Sequence, residues 1–139
     1  MLPLASRTFP SRRAWISLAA LAVVLGCSSD GASGPVDCQQ VELTVGPGVR
    51  PIYSWTSQCL GVALFVTDMT TGESVWGVTT GGNTYKNTLR PALTHGLKPA
   101  GTDEVFPPVA LVRGRTYEVI LFRQDGQFSV IAGQALFTP

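Results

Sequence analysis

The sequence predicts an all-β fold, a single antiparallel sandwich, and three observations predict it. Beyond residue 36 the apolar residues recur at every second position rather than every 3.6. The runs are short and are bounded by Gly, Pro and Asn. No amphipathic helical stretch follows the apolar segment near the N-terminus. The chain of 139 residues has length for one such domain once its leading segments are set aside.

Those leading segments come first. Arg7, Arg12 and Arg13 stand without an acidic neighbour, and Ala14 to Gly26 is apolar except for Ser17. A helix of that length reaches about 20 Å, short of the roughly 30 Å of hydrocarbon that a spanning helix must cross. The stretch therefore fits the apolar region of a secretion signal, and residues 1–26 are set apart as such. Val24-Leu25-Gly26-Cys27 resembles the bacterial lipobox, with an aliphatic residue at −3 and a small one at −1 before cysteine. The resemblance implies a diacylglycerol on the Cys27 thiol and cleavage that makes Cys27 the new N-terminus. Ser28 after it, in place of Asp, implies the outer membrane of the bacterial cell envelope. Acyl chains contribute about 0.8 kcal/mol per buried CH₂, so two or three of them anchor a protein durably.

With Cys27 acylated, Cys38 and Cys59 remain as a pair in an oxidising compartment, and an odd cysteine count becomes even. Cleavage removes three arginines from 10 basic residues and none of the 9 acidic ones, so the formal charge passes from +1 to −2. That balance carries no footprint for nucleic acid, which calls for a basic patch. Residues 27–36 (CSSDGASGPV) read as a flexible tether, and residues 37–139 as the sandwich domain.

Val41, Leu43 and Val45 alternate with Glu42 and Thr44, Gly46-Pro47-Gly48 turns the chain, and Pro51 to Thr56 runs back. A hairpin centred between Gly48 and Val49 sets Cys38 opposite Cys59 and Leu43 opposite Ser54. A one-residue slip matches Leu43 with Trp55 instead, and a bulge is needed to reconcile the two. A bridge between the cysteines would contribute roughly 3 kcal/mol by constraining the unfolded chain. In the second hairpin, pairing Asp68 with Glu73 sets Phe65 opposite Trp76 and Ala63 opposite Val78, with like charges at the mouth. In the third, Asp125-Gly126 favours a two-residue turn that pairs Leu121 with Val130 and Ile120 with Ile131, and Gly133 bends the final strand.

Leu111 to Val119 (LVRGRTYEV) resembles the approach to strand F of immunoglobulin-like and fibronectin type III domains. The resemblance implies that Tyr117 forms a tyrosine corner and that Trp55 is the buried tryptophan of the second strand. It covers residues 38 to 139 as a pattern, with Leu111 to Leu121 as its motif. Cys38 and Cys59 depart from it, since both flank the first hairpin and so do not form an antibody-type bridge.

Residues for catalysis are scarce. His95 is the one histidine, in a Thr-His-Gly stretch that reads as loop, and no Gly-x-Ser-x-Gly elbow occurs. Gly81-Gly82 lacks the context of a phosphate loop, and the adjacent carboxylates Asp103 and Glu104 point apart on an extended chain. A metal site from His95, Asp103 and Glu104 has no repeated ligand spacing. The sequence thus predicts neither enzyme, metal nor cofactor. Thr94 to Pro108 reads either as a recognition loop with Phe106 as its apolar contact or as a Pro-stiffened crossing between sheets. Trp55, Trp76, Tyr53 and Tyr85 could form a stacking platform for sugar rings, with Trp76 the best candidate to be exposed and Trp55 core. Ile120, Phe122 and Ile131 share a face opposite Tyr117 and Leu121, and an outward apolar strip of that kind reads either as a protein interface or as a face covered by long neighbouring side chains or the tether.

The function expected from these readings is a membrane-anchored extracytoplasmic lipoprotein whose β-sandwich binds a protein or serves an envelope assembly. A carbohydrate-binding module at the envelope is the alternative. Cys27 is its lipidation site, Cys38 and Cys59 its disulfide, and Trp76, Phe106 and His95 its candidate binding residues.

Overall fold

The computed structural model describes residues 37–82 and 86–139, so the segments 1–26 and 27–36, with Cys27, lie outside the described residues. The described chain is all-β, with two antiparallel sheets packed as a sandwich. The smaller has the order β1 (Thr44–Val45), β2 (Ile52–Ser54), β5 (Leu93–Thr94). The larger has the order β6 (Thr102–Phe106), β4 (Ser74–Thr80), β3 (Ala63–Asp68), β7 (Tyr117–Asp125), β8 (Phe128–Phe137). Period-two patterning produces this directly. Leu64, Val66, Trp76, Val78, Val119 and Leu121 turn inward from the larger sheet and meet Leu43, Tyr53 and Leu93 of the smaller one and its flanks in one core.

Aromatic packing joins the sheets. The Tyr53 ring stacks on Trp76 with centroids 6.0 Å apart, and Phe137 meets Tyr53 edge-on at 5.9 Å. Trp76 is fully buried. Rings of this size bury about 150–250 Å² each, so this cluster is the largest apolar contribution in the core. Its polar atoms are satisfied: Trp76 Nε1–H donates to Glu104 Oε1 at 3.2 Å, and Trp55 Nε1–H donates to the Cys59 carbonyl at 2.6 Å.

The first hairpin takes the slipped register, with Thr44 opposite Ser54 and Val45 opposite Tyr53. The cysteines still meet. The chain turns after Trp55, Cys59 N–H donates to the Thr56 carbonyl, and the Cys38–Cys59 disulfide forms with its Cα atoms 5.3 Å apart. A turn, rather than a bulge within the strand, resolves the conflict between the two registers.

Both other hairpins differ from the sequence expectation through bulges. Thr67 faces Ser74, but Val66 faces Trp76 and Phe65 faces Gly77, so Val75 is the extra residue. Phe65 and Trp76 therefore lie on opposite faces. The bulge leaves the Val75 carbonyl free to accept Val109 N–H at 2.7 Å, tying the crossing segment to the sheet. In the last hairpin the two-residue loop is Gly126-Gln127, because Asp125 pairs with Phe128. Gly126 takes φ 60° at the first central position, where tight hairpin turns call for glycine. Phe122 faces Ile131 and Leu121 faces Gly133, so Ala132 is extra, and its carbonyl accepts Val41 N–H at 2.7 Å. Gly133 permits that approach, since a Cβ there would fall 2.7 Å from the Val41 carbonyl oxygen.

The expected register holds at the mouth of the second hairpin, where Thr67 faces Ser74 and Asp68 N–H donates to the Glu73 carbonyl, and Arg115 neutralises the Asp68 carboxylate. Asp68 is buried, and its carboxylate accepts Thr70 N–H at 2.8 Å and Arg115 Nη1–H at 3.0 Å. The backbone N–H of Thr70, aided by the Arg115 guanidinium, holds its pKa below the usual carboxylate range. At the crossing into β7, Val112 N–H donates to the Tyr117 hydroxyl at 2.9 Å, the contact that a tyrosine corner requires.

Candidate functional site

The outward face of the larger sheet is the candidate site. It is built from two rows of cross-strand neighbours. One runs Phe106, Gly77, Phe65, Ile120 and Gln134; the other runs Asp103, Thr79, Ala63, Phe122 and Ile131. Phe65 meets Phe106 and Phe122 edge-on, at centroid distances of 5.8 and 5.7 Å. The result is a line of three phenyl rings across the strands, with Phe106 39% and Ile131 50% exposed.

Each position has a local cause. In β6, Gly77 pairs with Phe106 and Val78 with Glu104, which makes Val105 the bulged residue. Without that extra residue Phe106 would share the inward parity of Glu104; with it, Phe106 turns outward onto Phe65. Re-aiming of this kind is a common use of bulges. Gly77 then lies beneath both rings, and a Cβ there would fall 2.5 Å from Phe65 Cδ1 and 2.8 Å from Phe106 Cδ2. Small residues in the second row open a cavity. Ala63 and Thr79 lie between Phe65, Phe122 and Val105, and the cavity they line measures about 460 Å³. Asp103 lines it as well, with one carboxylate oxygen accepting Gly82 N–H at 3.3 Å.

The residues singled out by sequence fare differently. Phe106 lies on the edge strand, in the aromatic line. The segment from Thr94 to Pro108 is the crossing from the smaller sheet to the larger, and it contains β6 rather than a structureless loop. Trp76 is corrected: it has no exposed surface to offer a ligand, because the Val75 bulge points it into the core. The sugar platform expected with it does not assemble, since Trp55 and Tyr53 are also buried. Tyr85 lies outside the described residues.

His95 lies in the turn that follows β5, as the loop reading has it, but its side chain is buried in the core. It is 3% exposed, with its Nδ1 2.9 Å from the Tyr53 hydroxyl and its Nε2 3.0 Å from the Val109 carbonyl. A carbonyl only accepts, so Nε2 carries the proton and Nδ1 accepts the Tyr53 O–H. Both nitrogens are thereby engaged. Burial holds the His95 pKa below its ordinary value, with Arg50 adding to the effect, and burial raises that of Tyr53. Asp103 and Glu104 bond to Gly82 and Trp76 instead, and no group of three or more potential metal ligands occurs among the described residues.

Sequence reasoning had marked Phe122, Ile120 and Ile131 as one strip, and they do share the outward face. It missed Phe65 and the cavity beside it. The signal lay in the alternation of Ala63 with Phe65 and of Gly77 with Thr79, where small residues face large ones once the registers are known. No protein family, curated protein or solved structure matches the chain.

Proposed function

We propose that this chain is an exported bacterial lipoprotein whose β-sandwich is a non-catalytic docking domain for a protein partner at the cell envelope. One observation carries the docking reading: the uncovered line Phe106, Phe65 and Phe122 beside an open cavity. Exposed aromatic clusters of this kind are where interface energy concentrates. Residues 1–26 act as signal peptide, 27–36 as tether and 37–139 as the docking domain. Acyl chains on Cys27 hold it to the membrane, with Ser28 directing it to the outer membrane. The disulfide supports the anchor, because it uses Cys38 and Cys59 and leaves Cys27 as the odd cysteine. The domain is of the immunoglobulin-like, fibronectin type III-like class. In support, β1-β2-β5 and β3-β7-β8 follow the A-B-E and C-F-G neighbour relations of that class, with β4 beside β3 in the C′ position. β6 is an added edge strand.

Two measurements test the reading. Mass spectrometry of the N-terminal peptide from membranes is expected to show acylated Cys27, and Cys27→Ser is expected to release the protein from the membrane fraction. A photoreactive benzoylphenylalanine at Phe106 is expected to give a discrete protein adduct in cells, whereas the same residue at Ile52, exposed on the smaller sheet, gives none. Equal adducts at the two positions would remove the outward phenyl line from the docking role.

A further inference from the structure

We infer that the cavity beside Phe65 and Phe122 receives an arginine or lysine side chain from a protein segment that lays apolar residues along the phenyl line. This rests on the docking reading above and specifies its partner.

Charge gives the first argument. The five strands of the larger sheet carry Asp68, Asp103, Glu104, Glu118 and Asp125, against Arg123 alone. Asp68 is neutralised by Arg115 from the crossing segment. Asp103 and Glu118 stand at outward positions, opposite Thr79 and Thr67 respectively. Arg123 does not offset them, for it is half-buried and its Nε lies buried without a hydrogen-bond partner. A face with this balance attracts a cation and repels a carboxylate.

Shape and chemistry give the second. The cavity of about 460 Å³ is ample for one long side chain and lies within the range of ~300–1,000 Å³ seen for ligand sites. Its apolar walls, from Ala63, Phe65, Val105 and Phe122, suit the methylene stem of Lys or Arg. Phe65 and Phe122 line it, and phenyl rings attract a guanidinium or ammonium within ~6 Å of their centroids. Asp103 lies on the same lining, and its Oδ1 is not engaged by the Gly82 N–H that meets Oδ2. An apolar stem with a cationic donor at its end meets both requirements at once. An acidic side chain would oppose Asp103.

The test uses the full chain in detergent micelles and isothermal titration with two synthetic decapeptides. One alternates Arg with Leu; the other replaces every Arg with Glu. The Arg peptide is expected to bind with Kd in the micromolar range and to weaken on raising salt from 50 to 500 mM, since added ions screen the attraction of its charges to the acidic face. The Glu peptide is expected not to bind. Asp103→Asn keeps an acceptor for Gly82 N–H and is expected to lower Arg-peptide affinity about tenfold with an unchanged thermal melt. Ala63→Phe fills the cavity and is expected to abolish binding. Equal binding of the two peptides, or undiminished binding by Asp103→Asn, overturns the inference. Should the Arg peptide not bind while Phe106 still yields its cellular adduct, the cationic occupant is wrong and the docking face stands. An adduct with a second copy of this chain, or glycan binding lost on Phe106→Ala, would also overturn the occupant named here.

Discussion

The two faces of the larger sheet use the same kinds of residue to opposite ends. Inward, Trp76, Leu64, Val66, Val78, Val119 and Leu121 are closed over by the smaller sheet, and the buried polar atoms of Tyr53, His95 and Trp76 are paired. Outward, Phe65, Phe106, Phe122 and Ile131 are just as apolar but have no second layer among the described residues, and small residues between them leave a cavity. What separates core from surface here is the coverage of a face, not its composition. One residue of strand offset, set by the bulges, decides which aromatic falls on which side.

That contrast can be broken or sharpened by experiment. Trp76→Ala should cost about 3–5 kcal/mol, the range for truncating a large buried aromatic, measured by urea unfolding. Phe106→Ala, by comparison, should cost less than ~1 kcal/mol, being half-open to solvent before truncation. Similar losses at the two positions would mean that the outward face is covered in solution. Next in size, Cys38→Ser with Cys59→Ser should cost roughly 3 kcal/mol in the same assay, from the freed loop of the unfolded chain.

The pH dependence should divide between the faces' supports. His95 has a lowered pKa when folded, so the unfolded chain binds the extra proton first. Stability is therefore full above about pH 6.5 and falls as pH drops from there toward the folded value. Asp68 also has a lowered pKa, and its contribution, present above about pH 4, is lost below that as the carboxylate protonates. Thermal melts from pH 7 to 5 should decline in the wild type and flatten in His95→Gln, whatever the baseline stability of the variant. A decline of equal slope in both would show that His95 is not the group titrating. Tyr117→Phe should cost about 1 kcal/mol, from the lost hydrogen bond to Val112 N–H, read by the same unfolding assay.

Much of the fold was legible because alternation is a local signal. It gave the strands and the all-β class, whereas the pairing of Cys38 with Cys59 came from the cysteine count and is made through a turn. The resemblance carried by Leu111 to Val119, rather than alternation, placed Tyr117 at the bend into β7. The bulges were not legible. Val75, Val105 and Ala132 are ordinary strand residues, and two of them become extra where a carbonyl is taken by Val109 or Val41, distant in sequence. Trp76 and Phe65 were consequently put on one face, and the turn at Gly126-Gln127 was displaced by one position. The loop position of His95 was legible but its burial was not, because β5 has only Leu93 and Thr94, too few residues to show a period. The site suffered most, since an outward row exists only once several registers are combined.

Gly77 turns the outward face into something that can be tuned by one atom. A methyl group placed there would act as a wedge between the Phe65 and Phe106 rings, prising them apart without removing either. Gly77→Ala is thus a lever on the geometry of the aromatic line that leaves every partner-facing side chain in the protein. If capture depends on how those rings are spaced, and not merely on their greasiness, a single added carbon beneath them is enough to reveal it.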